Sequence, residues 1–522
     1  MLVLVIGTMF TFTACVPPFP VDEAVTADSE DPSDKDWPAV VQNFRRSVHS
    51  KNVDTYSRAA LALRHWMMDH DPHYPTYHFA GPESWINDAN GVIYHKGLYH
   101  LFYQYDPILA DGTRSERCWG HAVSKDLVHW TDWPVALWPD SPYDQNGAYS
   151  GNVIIDDEGI PTALYTGNIA GGDEAYGMRA RSLDGFLTWH KKMVMHDDQR
   201  PNAASPVHWD AQIWKSGNEW YQLIGGSTGG DDPHGAAFLW TSTDLEHWKL
   251  ETNIAPTLHL DNFWELPYLI PLDGVHVLMV GVEHNPYWVG DYDEEKRLFT
   301  PFTEEPRYVD MGDYYAVNPH MTDGKGPAGA SRRLLHAWVT TPPSPTKTVS
   351  YWQGAHAIPR VLSLRNGRLW QEPIPELRVL RHNARTVEGK TVSSGETVLL
   401  NKISGDTLEI EAEFRISEKG CAGLRVRASL DGTDGVSIWY DRSRGVFGVD
   451  EVETSVPLDP DAPIDLHIFV DRSIVEAYLN GYAITKVTFV DPDYQAVAIF
   501  ADEAAAKLVS LKAWDVCSNW HR

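Results

Sequence analysis

The chain is 522 residues long, with 43% hydrophobic and 22% charged residues, which excludes disorder over most of its length and leaves room for more than one packed domain. Its 72 acidic and 43 basic residues give a net charge of -29, a field that excludes nucleic acid as a partner and disfavours anionic polymers and sugar phosphates. Four cysteines, with no Cys-x-x-Cys pair and no histidine at ligand spacing, indicate neither a disulfide framework nor a metal site.

Residues 1–20, MLVLVIGTMFTFTACVPPFP, join a short apolar run to a small-residue Thr-Ala-Cys, the pattern of a signal peptide in which Cys15 would be the lipid-anchored residue. The run is too short to span a bilayer and no other stretch could, so a secreted or envelope-associated protein without a membrane span is expected. Residues 21–69 then read as an acidic, Ser/Asp-rich linker followed by a helical segment, with helix formers dominating from Pro38 to Met68.

From residue 70 to 380, short apolar and aromatic runs alternate with Gly, Asn, Asp and Pro, which predicts many antiparallel strands. SKDLVHW, SLDGFLTWH and STDLEHW place Trp130, Trp189 and Trp248 at equal intervals of 59 residues. A period of this length predicts the blades of a β-propeller, each with a Ser-x-Asp turn and a Trp packed between blades; at about 60 residues per blade the region holds five. Residues 385–519 have a different texture. LEIEAEFRI alternates apolar and charged positions, and Asn480-Gly481 predicts a hairpin, as in a β-sandwich. The expected fold is thus all-β, a five-bladed propeller followed by a C-terminal sandwich, with a short helical N-terminal extension.

Asp88, Asp210 and Glu265 stand out among the acids because each lies in an aromatic, apolar setting: WINDANG, HWDAQIW and FWELPYLI. A buried carboxylate without partners is costly, so such a position persists only if it is hydrogen-bonded, paired or functional. Each has a plainer reading. Asp88 could make an Asx turn before Asn90-Gly91, Asp210 could be a strand-edge acid, and Glu265 could bond to backbone. Asn90-Gly91 is expected to turn the chain into VIYHKGLYHLFYQY. If the first strands of successive blades line one channel, however, the three acids meet. Carboxylates in an aromatic funnel, without a metal or nucleotide motif, suit glycosidic bond cleavage.

WINDANG, LYHLFYQYDP, CWGHAVSKDLVHW, GAYSGNVI, FWELPYLIPL, YWQGAHAIPR, GRLWQEPIPEL and LHIFVDRSIVEAYLNG follow one another in an order that resembles glycoside hydrolase family 32, the invertase, levanase, inulinase and fructan exohydrolase family. The resemblance implies retaining hydrolysis of β-fructofuranosidic bonds in sucrose, fructooligosaccharides or fructans, with no cofactor. It implies Asp88 as nucleophile, Glu265 as acid/base and Asp210 as transition-state stabiliser, with the first two carboxyl groups about 5–5.5 Å apart. Trp85, Asn87, Gln104, Trp119, Tyr149, Ser150, Trp209 and Trp352 are implied to line the sugar site.

The chain departs from the family pattern at several positions. Trp209 stands where the family has Arg, so a five-donor fork is missing; Ala89 and Ala211 replace prolines, and Leu266 replaces a cysteine. These departures keep in view a fructosyltransferase or a hydrolase of an unusual furanoside, and a carbohydrate-binding protein whose catalysis has decayed.

Overall fold

The computed structural model describes residues 37–169, 174–326, 329–342, 345, 352–417, 419–459 and 461–520. The leader-like segment, Cys15 and the acidic stretch as far as residue 36 lie outside the described residues. Cys118 and Cys421 carry free thiols. Among the described residues, no helix is long and apolar enough to cross a membrane.

The helical segment is two helices, α1 (Ala39–Ser47) and α2 (Val53–His70). The break comes where Asn52 caps α2, its side chain accepting the Thr55 N–H, so the run of helix formers is interrupted by a cap. α2 packs on the outer strand of the first blade. There Arg64 is fully buried, ion-paired to Asp132 at 2.7 Å and stacked 3.7 Å over Trp520 at the far end of the chain.

Five antiparallel sheets follow, and their first strands are Ser84–Ala89, Gly147–Ile155, Ala211–Ser216, Glu265–Leu272 and Tyr314–Asn318. First strands of neighbouring blades touch around a central axis, except that the second blade's first strand meets the first blade at Cys118–Ser124. Trp352–Gln353, late in the chain, pairs in parallel with Ser84 and Trp85, which closes the ring. The 59-residue repeat is the turn before each outer strand of the first three blades. Ser124, Ser182 and Ser242 each donate to the Asp two positions on, at 3.0, 3.1 and 3.0 Å. Leu127, Phe186 and Leu245 then take positive φ, and the Trp follows at the start of the outer strand. Aromatic and aliphatic layers fill the gaps between blades; Trp119 and Tyr165 lie between the first two, Trp220 and Trp248 between the second and third.

The turn expected at Asn90-Gly91 is instead at Lys96-Gly97, whose φ values of 49° and 84° make the two-residue hairpin between Ile93–His95 and Leu98–Asp106. Asn90 is buried, its N–H donating to Phe102 O at 2.7 Å. Gly91 serves close approach, because a Cβ there would lie 2.1 Å from the Val153 side chain.

The sandwich has two six-stranded sheets, one running from Arg381–Val392 to Tyr482–Val487 and the other from Glu396–Ser404 to Val452–Ser455. Leu408, Ile410, Ala412, Phe414 and Ile416 all face its core, as the alternation predicts. Glu409 departs from the polar-out pattern. It is buried because Arg381 and His467 enclose it. Asn480 and Gly481, both at positive φ, form the expected hairpin, whose tip rests on Trp370 of the propeller.

Propeller and sandwich are joined through a buried ionic network. Asp471 accepts hydrogen bonds from Thr76 N–H (2.7 Å), Thr76 Oγ1 (3.0 Å), Tyr77 N–H (2.9 Å), His78 N–H (2.8 Å) and His78 Nδ1 (2.9 Å). Glu476 accepts from His78 Nε2, Ile358 N–H and Arg360 Nη2, and Arg360 also reaches Asp310 at 2.9 Å. Burial by itself would lower the His78 pKa, but the hydrogen bonds to Asp471 and Glu476 outweigh it and raise it to about 9, so His78 is a cation. Replacing Asp471 with Ala strands this cation and three backbone donors. The expected cost is about 3–5 kcal/mol, read as a fall in the midpoint of urea unfolding followed by tryptophan fluorescence. An unchanged midpoint would contradict the bracing role of the network.

Candidate active site

The inner strands share one irregularity. Asn87 and Asp88 oppose the single residue Gln104, Tyr149 and Ser150 oppose Thr166, Leu266 and Pro267 oppose Val280, and Ala316 and Val317 oppose Ala337. Each is a two-versus-one bulge, a device that re-aims side chains and breaks the in–out alternation. In the third blade Asp210 lies just before the strand, at φ 43°, and Leu266 repeats that φ in the fourth. The backbone is thereby bent around one point on the axis.

Asp88 is half-buried, open to the funnel on one side. Ser150 Oγ donates to its Oδ2 at 2.5 Å. Glu265 accepts from Trp209 Nε1 at 3.1 Å and from Tyr315 OH at 2.8 Å, so a different neutral donor holds each of its oxygens. Asp210 is more deeply buried; its N–H donates to Thr166 Oγ1 at 3.2 Å, and that hydroxyl lies 2.9 Å from His208 Nδ1. Asn318 Nδ2 ties the fifth blade to the first by donating to the Ala89 and Asn90 carbonyls, each at 2.7 Å.

The electrostatics follow from burying like charges together. Burial pushes the Asp88 pKa up to about 6; the Ser150 hydrogen bond opposes this, the Glu265 charge adds to it, and Arg117 opposes it. Burial also pushes Asp210 well above the usual carboxylate range, reinforced by Glu265 and Asp88 and opposed by the Leu266 N–H and Arg117. Near neutrality Asp88 is therefore mostly ionised, whereas Asp210 holds its proton to a higher pH than an ordinary carboxyl.

Around these groups runs a closed wall. Trp85 packs edge-on to Trp338 (6.1 Å), Trp338 to Tyr315 (6.4 Å), Tyr315 bonds Glu265, Glu265 bonds Trp209, and Trp209 packs edge-on to Tyr149 (6.0 Å). The Arg117 guanidinium fills the last gap, 4.9 Å from the Tyr149 ring and 4.7 Å from the Trp85 ring. Every member of the wall is half-buried, with its inner side toward the funnel. Asn87 Oδ1 and Gln104 Oε1 are buried without a hydrogen-bond partner.

Of the residues predicted from sequence, Trp85, Asn87, Asp88, Gln104, Tyr149, Ser150, Trp209, Asp210 and Glu265 gather at this funnel. Trp119 lies below it, donating from Nε1 to Tyr149 O at 3.0 Å, and shapes the bulge from underneath. Trp352 is not on the wall. It is buried in the seam of the ring, with Nε1 donating to Asp71 Oδ2 at 3.1 Å and its ring edge-on to Tyr74. Sequence reasoning missed Arg117, Tyr315, Trp338 and Asn318. Arg117 stands two positions before the Trp119 block, and the other three come from the fifth blade, which has no Trp repeat to mark it.

Elsewhere, Glu409, Glu411 and His467 bring three metal-type ligand atoms within 4.8 Å of one another, but Arg381 donates to both carboxylates. A guanidinium already occupies the place a cation would take.

Residues 78–373 match the glycosyl hydrolases family 32 N-terminal domain and residues 376–515 the C-terminal domain of the same family. The chain belongs to glycoside hydrolase family 32. Among family 32 relatives, a sucrose-6-phosphate hydrolase of Zymomonas mobilis is 30% identical over 84% of this chain and 92% of its own length. A fructan 6-exohydrolase of Beta vulgaris is 30% identical over 67% of this chain and 62% of its own. The crystal structure of fructan 1-exohydrolase IIa from Cichorium intybus superposes with a TM-score of 0.74 at 25% identity, covering 86% of this chain and 98% of that one.

Two outcomes follow from the buried charges. Turnover that needs ionised Asp88 should rise with pH through about 6, and Ser150→Ala, which removes a hydrogen bond to the charged form, should move that acidic limb upward in a pH–rate profile. Asp210 has a folded-state pKa above its unfolded value of 3.8, so ionising it costs stability once pH rises above that value. Asp210→Asn should accordingly melt at a higher temperature than the wild type at pH 7 while losing turnover, as calorimetry and an activity assay would read; Asn also tolerates the positive φ there.

Proposed function

We propose that the protein is an exo-acting, retaining β-fructofuranosidase that takes neutral substrates, sucrose or fructans, by double displacement. The observation that carries this reading is the meeting of Asp88, Glu265 and Asp210 inside a wall closed on all sides. Asp88 attacks the anomeric carbon as its bond to the leaving oxygen breaks, and Glu265 gives that oxygen a proton. Water then attacks the same carbon, Glu265 takes the water's proton, and Asp88 leaves as a carboxylate. Asp210 holds sugar hydroxyls through the transition state.

The closed wall supports exo action, since it admits one terminal residue and blocks a chain from running through. The ionised Asp88, with Arg117 as the one cation set against it, supports neutral sugars over phosphorylated ones. The intact hydrogen bonds to Asp88 and Glu265 favour catalysis over a binding-only protein. The aromatic wall, with Trp209 in it, also favours a second reading, in which a sugar replaces water as acceptor at high substrate concentration.

Incubation with sucrose, inulin and levan should release fructose, and Glu265→Gln should lower kcat by about 10²–10⁴ fold, with Asp88→Asn at background. Sized products from inulin should be fructose and slowly shortening chains. Absence of fructose release would sink the hydrolase reading, whereas early oligosaccharides of intermediate length would sink exo action. Products longer than sucrose at high sucrose would mark transfer.

A further inference from the structure

Arg117 differs from four arginines that are more deeply enclosed. Arg45, Arg64, Arg332 and Arg360 are all ion-paired to buried carboxylates. The Arg117 guanidinium, lying against two aromatic rings, has no carboxylate or carbonyl as hydrogen-bond partner among the described residues. Its backbone is fixed, however: its carbonyl accepts the Ala148 N–H at 2.9 Å, and the residue bridges Gly147, so it is tied to the bulge that carries Tyr149 and Ser150. A planar fork stacked on aromatic faces, with its edge donors open to the funnel, is preorganised for a ligand.

Its place in the wall indicates which part of the ligand it meets. Going round the wall from Glu265, Arg117 is reached through Trp209 and Tyr149 one way and through Tyr315, Trp338 and Trp85 the other, so it lies across the funnel from the acid/base. The leaving oxygen must lie beside Glu265 at this level, and the sugar attached to it must pass Arg117. We propose that Arg117 is a specificity-determining residue that grips vicinal hydroxyls of the leaving-group sugar. This inference rests on the assignment of Glu265 as acid/base. Hydroxyls fit better than a phosphate dianion, which one guanidinium would have to hold beside the ionised Asp88.

The test compares wild type, Arg117→Met and Arg117→Lys on sucrose and on p-nitrophenyl β-fructofuranoside, whose leaving group has no hydroxyls to grip, with Asp88→Asn as background. The ratio of kcat/KM for sucrose to that for the aryl fructoside should fall about tenfold in Arg117→Met and remain well below wild type in Arg117→Lys, because a point charge cannot form the fork. Equal losses on both substrates would place the role of Arg117 in its charge at the carboxylates and overturn the proposal. Full retention of the ratio by either variant would overturn it as well. If melting curves show that Arg117→Met does not fold, Arg117→Gln replaces it. A wild type inactive on both substrates would count against the hydrolase reading alone. Calorimetry with sucrose would then test the contact separately, with affinity about tenfold weaker in the variant expected and equal affinity overturning it.

Discussion

Three carboxylates have to share one poorly hydrated place without being neutralised out of use, and much of the molecule answers to that requirement. Elsewhere in the protein several buried acids are paired with cations, Asp132 with Arg64, Glu83 with Arg45 and Asp310 with Arg360. At the funnel they are not. Ser150, Trp209, Tyr315 and the Leu266 N–H supply neutral donors, which orient the carboxylates and offset part of their burial without cancelling their charge. The single nearby cation, Arg117, opposes the upward shifts of Asp88 and Asp210 but does not abolish them. A strong ion pair in its place would have lowered the pKa values of both aspartates further.

Such an arrangement needs a rigid frame, and the sandwich supplies part of it. Asp471 and Glu476 grip His78, the adjacent Phe79–Ala80 strand pairs with Ala355–His356, and His356 Nε2 donates to Asn87 O at 2.7 Å. The link from the sandwich to the residue beside the proposed nucleophile is therefore continuous and buried throughout. It also accounts for the FVDRSIVEAY stretch, whose charged residues face neither solvent nor substrate. Asp471 and Glu476 face the propeller, and Arg472 donates to the carbonyls of Met68, Asp71 and Tyr74.

The propeller was legible from sequence because its packing repeats locally. Ser124–Trp130, Ser182–Trp189 and Ser242–Trp248 are self-contained turns, each closed by its own serine and aspartate, so their spacing survives as a pattern. The alternation of Leu408 to Ile416 is equally local. What was lost is non-local. A bulge is defined by the partner strand, so nothing within WINDANG reveals that Asn87 and Asp88 together oppose Gln104, or that Asn90-Gly91 continues where a turn is expected. Trp352 matched a lining position, yet Asp71, from the helical extension before the propeller, draws its indole into the ring seam. Tyr315 reaches Glu265 only because the ring closes, and no motif in the fifth blade announces it.

Trp209 shows how a departure that looks like a loss can be a redistribution. An indole in place of a guanidinium keeps one N–H on Glu265 but gives up the charge and the other donors. The cation in this funnel is instead Arg117, in the wall and across from Glu265. With the charge across the wall, Glu265 lies between two neutral donors, and the guanidinium of the wall stacks between Trp85 and Tyr149. The Ser150 hydrogen bond to Asp88 does not involve position 209. Apart from Arg117 and Trp209, the members of the wall lie on strands, Trp85, Tyr149, Glu265 and Tyr315 on the first strands of their blades and Trp338 on a neighbouring strand, so the wall and the frame that holds the carboxylates are one structure.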